Sequence, residues 1–338
     1  VNRNNVKELF PVKEPSASAG PMKTKTTLVR RFMCCVLIIF AISGCTSYSA
    51  SADVIDTVQA QEPTREIIKK TPIPEATQTP RIEPSSTMTP TKAACAETRG
   101  QLKDEDVPNK VLSHPLQVKI YLPPCYDKHP KTPYPYVIMI HGMLYTDDQW
   151  DRLGADEAAD ELISSGEVPP FMILMPLEEQ STANPFEDGF GDAITDGLIP
   201  WVEQNYPVCA DRSCRAIGGL SRGAGWAIHI GLSKPGYFGA IGAHSLPIFI
   251  GDLASTPRWL SAIKQADMPR VYIDIGIGDG GITQATQFEQ ILTAYNVPHE
   301  WYINNGEHTE GYWSSHVKDY MRWYASGWKT PVPPVVLN

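Results

Sequence analysis

Ser221 stands at the centre of Gly219-Leu220-Ser221-Arg222-Gly223, a Gly-x-Ser-x-Gly pattern entered from an apolar run and left by helical spacing. A serine used as a nucleophile must be presented on a turn so tight that its neighbours crowd it. Glycines two positions either side remove the side chains that would clash there. The pattern is short, and a structural glycine-rich turn between strand and helix would also satisfy it. Two more groups are needed for chemistry, and the chain supplies candidates. Asp279 lies in Gly276-Ile277-Gly278-Asp279-Gly280 and His308 in Asn305-Gly306-Glu307-His308-Thr309, each just past an apolar run. Serine, carboxylate and histidine are the residue types of nucleophilic acyl transfer. Asp274 competes with Asp279, but it falls inside the apolar run, where a structural hydrogen bond is the simpler role. No His and carboxylate residues cluster at ligand spacing, so neither a metal nor a cofactor is expected.

These groups can meet only if the fold delivers them to one edge. Leu116–Leu122 alternates apolar and polar residues, as a half-exposed strand does, while Tyr136–Ile140 and Phe171–Pro176 are continuous apolar runs suited to buried strands. Helical spacing marks Ala155–Ser164 and Asp192–Tyr206. The Ser221 strand, a helix over Ala224–Ser233 and a strand at Gly239–Ala243 follow. Val271–Ile277, Gln284–Tyr295, His299–Ile303 and Tyr312–Ala325 then read strand, helix, strand, helix. Such alternation predicts an α/β fold, a mostly parallel sheet with helices on both faces. In such sheets reactive groups gather beyond the carboxyl ends of the strands. Ser221, Asp279 and His308 each follow a strand, in the Ser, Asp, His order of α/β hydrolases. His244 and Ser245 follow another and either line the pocket or pack beneath it. His229 reads as a core residue, His316 as structural, and Glu178 with Glu179 as a solvated loop. Trp150, Trp226 and Trp313 could each offer a face to a sugar or aromatic acyl group, although aromatic residues more often fill cores.

The ends of the chain speak to location. Lys23, Lys25, Arg30 and Arg31 precede an uninterrupted apolar run, Phe32–Ile42, too short for a span of about 20 residues but suited to a secretory signal. The run ends in Ser43-Gly44-Cys45, which resembles a bacterial lipoprotein lipobox with Cys45 as the lipidated residue. An ordinary signal peptide or short anchor is the alternative. Residues 1–21 are read as an over-extended reading frame ahead of Met22, and residues 22–45 as the signal segment. Residues 46–98, rich in Thr, Pro and Ser, read as a disordered linker that cannot bury enough to order itself. Residues 99–338, about 240 in all, suit one domain. The expected location is therefore extracytoplasmic, as a membrane-anchored lipoprotein, with secretion as the second choice. The partners are an ester substrate and the membrane. A net charge of −9 without a basic stripe argues against nucleic acid. Beyond Cys34, Cys35 and Cys45, four cysteines remain, and an oxidising compartment favours disulfides. Cys209–Cys214 with Cys95–Cys125 is the preferred pairing, and buried free thiols are the alternative.

Several stretches together resemble the esterase D-like family of α/β hydrolases, which includes feruloyl, acetyl-xylan and enterochelin esterases and mycolyltransferases. They are Tyr121-Leu122-Pro123-Pro124-Cys125-Tyr126, Ile140-His141-Gly142, Ile199-Pro200-Trp201-Val202-Glu203, the Ser221 and Asp279 motifs, and Gly306-Glu307-His308 followed by Trp313. The likeness spans about Leu116 to Trp323; Arg222 stands where the family often has Met. It implies a Ser221–His308–Asp279 triad, with His308 as general base and acid and Asp279 holding its tautomer. It also implies an oxyanion hole formed by the backbone N–H groups of Arg222 and Met143, in the loop His141-Gly142-Met143-Leu144. The expected activity is hydrolysis of small or carbohydrate-linked esters. Acyl transfer by the same triad, or a lipid-anchored binding domain without activity, are the competing readings.

Overall fold

Tyr136, Ile138 and Ile140 bury their side chains on one face of the central sheet, and Val137 and Met139 bury theirs on the other. This two-sided burial is why β3 (Tyr136–Ile140) reads as an unbroken apolar run. A computed structural model describes residues 96–126, 133–179 and 182–328 of the chain. Residues 1–21, the signal segment with Cys45, all but the last residues of the linker, and Cys95 lie outside the described residues.

Eight strands form one sheet. They are β1 (Gln101–Val107), β2 (Leu116–Leu122), β3, β4 (Met172–Pro176), β5 (Arg215–Leu220), β6 (Ala240–His244), β7 (Arg270–Gly276) and β8 (His299–Asn304). Their spatial order is β1-β2-β4-β3-β5-β6-β7-β8. The first two junctions are antiparallel and the remainder parallel. The charged β1 closes one edge, and Lys119 of β2 reaches across to Asp104. An edge strand of this composition discourages pairing with other chains.

Helices cover both faces. On one side lie α1 (Gln149–Arg152), α2 (Ala155–Ser164) and the last helix, packed over Val137, Met139 and Ile173. On the other, α3 (Phe190–Asp192), a π-helical turn (Ala193–Leu198) and α4 (Ile199–Asn205) run on as one helical stretch. That face continues with α5 (Arg222–Ser233), α6 (Asp252–Ala262) and α7 (Ile282–Ala294). The last helix is α8 (Glu310–Ser326). Among the described residues no helix is long and apolar enough to cross a membrane. Cys209 and Cys214 form a disulfide just before β5, and Cys125 is also disulfide-bonded.

Candidate active site

Ser221 joins β5 to α5 with φ 51° and ψ −127°, a conformation that L-residues avoid. The flanking glycines make it possible. A Cβ on Gly219 would lie 2.3 Å from the backbone of Gly223, and one on Gly223 would lie 2.1 Å from the carbonyl oxygen of Ile140. The turn is held from the next strand, because the Ser221 N–H donates to the His244 carbonyl at 2.9 Å. Helix α5 then starts at once, its first bonds running from Ala224 and Gly225 to the Ser221 carbonyl.

Loops after β5, β7 and β8 bring Ser221, Asp279 and His308 together. His308 Nε2 lies 2.8 Å from Ser221 Oγ, and its Nδ1 lies 2.7 Å from Asp279 Oδ2. The second carboxylate oxygen of Asp279 accepts the Gly281 N–H at 2.8 Å. Burial works against the Asp279 charge. Hydrogen bonds from His308, the Gly281 amide and Ser245 outweigh it and hold the carboxyl below its ordinary range. An ionised Asp279 can only accept, so Nδ1 of His308 donates and Nε2 accepts the Ser221 hydroxyl. Ser245 takes a further hydrogen bond from Trp313 Nε1 at 3.0 Å, and the Trp313 ring meets His308 edge-on.

The loop after β3 packs against the nucleophile. Gly142 sits close enough to Ser221 that an added Cβ would lie 3.6 Å from the serine Cβ. Its N–H donates to the buried Gln149 side chain at 2.8 Å. His141 Nε2 accepts the Glu178 N–H at 2.8 Å, so Nδ1 carries the proton and donates to the Gly142 carbonyl at 2.8 Å. Burial pushes the His141 pKa down, which keeps the ring neutral in this role. The carboxylate of Glu178 in turn receives Arg222 through Nε (2.9 Å and 3.0 Å) and Nη2 (2.7 Å). The guanidinium also donates to the Ala183 carbonyl and lies over the ring of Phe249.

Several expectations need correction. Glu178 is not solvated: it is 2% exposed, because Arg222 draws it inside. His244 is no pocket residue. It lies fully buried between Asp274 and Tyr324, stacked on Tyr320. Asp274 accepts from His244 and from the hydroxyls of Tyr312 and Tyr320, each at 2.7 Å. Leu144 turns outward at φ 66° and is 79% exposed, and His141 is buried behind the loop. His229 is the core residue the sequence suggested, hydrogen-bonded to the Asp252 carboxylate, and His316 bonds the Tyr312 carbonyl on its own helix. Trp150 and Trp226 are core residues. Glu179 stays at the surface beside His114.

Two cavities flank Ser221 and His308. One, of about 260 Å³, has Gly142, Met143, Tyr145, Glu310 and Trp313 in its wall. The other, of about 490 Å³, adds Arg222, Ser245, Pro247 and Phe249. Met143 borders both.

A sheet of this order, with a serine on the strand-to-helix turn after β5 and Asp279 and His308 beyond β7 and β8, defines an α/β hydrolase. The family described as "Putative esterase" matches residues 109–324, and the chain belongs to it. An endo-1,4-beta-xylanase/feruloyl esterase of Xylanibacter ruminicola is 30% identical over 173 residues, which is 47% of this chain and 22% of that protein. The chain thus spans only about a fifth of that relative's length. Among solved structures, a ferulic acid esterase superposes with a TM-score of 0.61 at 22% identity, covering 68% of this chain and 99% of the other. The feruloyl esterase module from Clostridium thermocellum, complexed with sinapinate, gives a TM-score of 0.58 at 17% identity, covering 75% and 96%.

Proposed function

We propose that this chain is a serine carboxylesterase acting on small or carbohydrate-linked esters through an acyl-enzyme at Ser221. The carrying observation is the unbroken chain Asp279–His308–Ser221, with separations of 2.7 Å and 2.8 Å. Ser221 Oγ attacks the ester carbonyl as its proton passes to His308 Nε2. His308 then protonates the departing alcohol. Asp279, held ionised, steadies the imidazolium formed between these steps. Backbone N–H groups of Arg222 and Met143 stabilise the oxyanion. Water then repeats the attack on the acyl-enzyme with His308 as its base. The exposed His308 side chain, 39% accessible, supports water as acceptor over a sheltered sugar or lipid alcohol. The cavity beside Phe249 and Pro247 has room for a planar aromatic acyl group, and the feruloyl esterase relatives support an acyl group of that kind. From the segment 22–45 we place the enzyme outside the cytoplasm on a lipidated Cys45.

Ser221→Ala is expected to lower turnover of an activated short-chain ester by about 10⁴-fold or more and to abolish labelling by a fluorophosphonate. Hydrolysis at the parental rate in that variant would remove Ser221 from the chemistry. A panel of acetyl, feruloyl and longer acyl esters, with and without sugar acceptors, assigns the acyl group and separates hydrolysis from transfer.

A further inference from the structure

The two loops offered as oxyanion donors belong to different elements. Met143 follows β3, and Arg222 opens α5. The ladder between β3 and β5 ends at Ile140 and Gly219, three residues short of each donor, with Gly223 packed on the Ile140 and His141 carbonyls. Side chains add a second link. From the β3 side, the Gly142 carbonyl accepts from His141 Nδ1, and His141 Nε2 accepts from the Glu178 backbone. From the α5 side, the Arg222 guanidinium closes on the Glu178 carboxylate by three contacts of 2.7–3.0 Å. Glu178 therefore holds the β3 loop with its backbone and the first residue of α5 with its side chain. All three residues are buried.

We propose that Glu178 is a positioning residue for the oxyanion site, bracing the Met143 and Arg222 amides against each other across the nucleophile. The inference rests on the esterase reading above. A buried ion pair is a poor way to gain stability, since well-packed apolar residues often serve as well or better. It is a good way to fix geometry, because a guanidinium bound through two nitrogens allows little rotation. Oxyanion donors need such control, since small misplacements of aligned groups cost large factors in rate.

The test uses Glu178→Gln, which cuts the ionic link but keeps the backbone N–H to His141, and Glu178→Met/Arg222→Met, which replaces the pair by apolar side chains. Each is assayed for kcat and KM on a short-chain activated ester and for inhibition by a boronic acid that mimics the tetrahedral adduct. Melting temperature and hydrogen exchange of the segment 140–145 are measured alongside. The brace predicts a kcat lower by about 10- to 100-fold with KM nearly unchanged, and boronate inhibition weakened by a similar factor. It also predicts faster exchange in 140–145. These losses persist in the double Met variant even where its melting temperature returns to the parental value. The proposal is overturned if kcat and boronate affinity stay parental in a folded Glu178→Gln protein, if the loss falls on KM alone, or if kcat recovers with stability in the double variant. Absence of any ester turnover in the parent protein would instead refute the esterase reading. Hydrogen exchange still decides the brace in that case, and parental exchange rates in both variants would exclude it.

Discussion

Two buried aspartates stand within reach of the sheet edge, yet only Asp279 faces His308. Asp279→Asn should lower kcat by about 10⁴-fold, because the amide can donate to Nδ1 and stabilise the wrong tautomer. Asp274→Asn should leave kcat much closer to the parent and instead lower the urea midpoint, since its carboxylate accepts three buried donors. Steady-state kinetics beside urea unfolding separates these outcomes. The pH dependence follows from the same contacts. The folded Asp279 carboxyl lies below its unfolded value, so it adds stability that is complete above the ordinary carboxylate range and is lost as pH falls through its lower folded pKa. An acid limb of activity near neutrality therefore does not come from Asp279. His141 has the same sign in a higher pH range. Burial lowers its pKa, so the unfolded chain binds the extra proton first, and stability falls as pH drops below about 6.5. His141→Gln, which cannot titrate, should flatten the melting profile between neutral and mildly acid pH. Ser221, Asp279 and His308 were legible in the sequence because each sits in a local glycine-marked turn beyond an apolar run. Glu178 was not, since its partner is 44 residues away. The only sequence signal was an arginine beside a buried elbow, a charge that needs a carboxylate somewhere.

Among the elements, strands with a regular apolar pattern announced themselves and the charged edge strand did not. The bounds of β2 and β3 could be read from alternation and from an unbroken apolar run, whereas β1, Gln-Leu-Lys-Asp-Glu-Asp-Val, carries the charges of a loop and becomes a strand only by pairing with β2. Helix α6 was hidden because Pro257 stands inside it and its apolar spacing is sparse. The strand leading to the nucleophile is demanding in a different way. Added Cβ atoms on Gly218 and on Gly242 of β6 would lie 1.8 Å and 1.9 Å from the Tyr324 hydroxyl oxygen, so two neighbouring strands are hollowed to admit one side chain of α8. Gly218→Ala should therefore cost about 1–3 kcal/mol as an overpacked core, measured by urea unfolding. Gly223→Ala meets backbone, which cannot rotate away, and should lose activity along with stability.

The two ends of the sheet divide the labour. At the carboxyl ends lie Ser221, Asp279 and His308. At the amino end of β5 the Cys209–Cys214 bridge closes a short loop, and Arg212 ties it to the carbonyls of Phe238 and Asp267. A loop of that length should give roughly 2 kcal/mol through loop-closure entropy. Cys209→Ser/Cys214→Ser is thus expected to unfold at lower denaturant concentration while keeping kcat, because the loss falls at the far end. A kcat loss larger than tenfold in the folded variant would contradict this separation. The Tyr324 hydroxyl, lodged beneath Gly218 and Gly242, carries a consequence for how the protein comes into being. During synthesis the elbow strand emerges with an unfilled hollow behind it, and the plug arrives more than a hundred residues later. His308 and Trp313 arrive in the same late stretch. A nascent chain halted after β8 and before His308 would thus hold its serine on an unsupported turn without its base, and catalytic competence would appear in a single late step instead of growing with length.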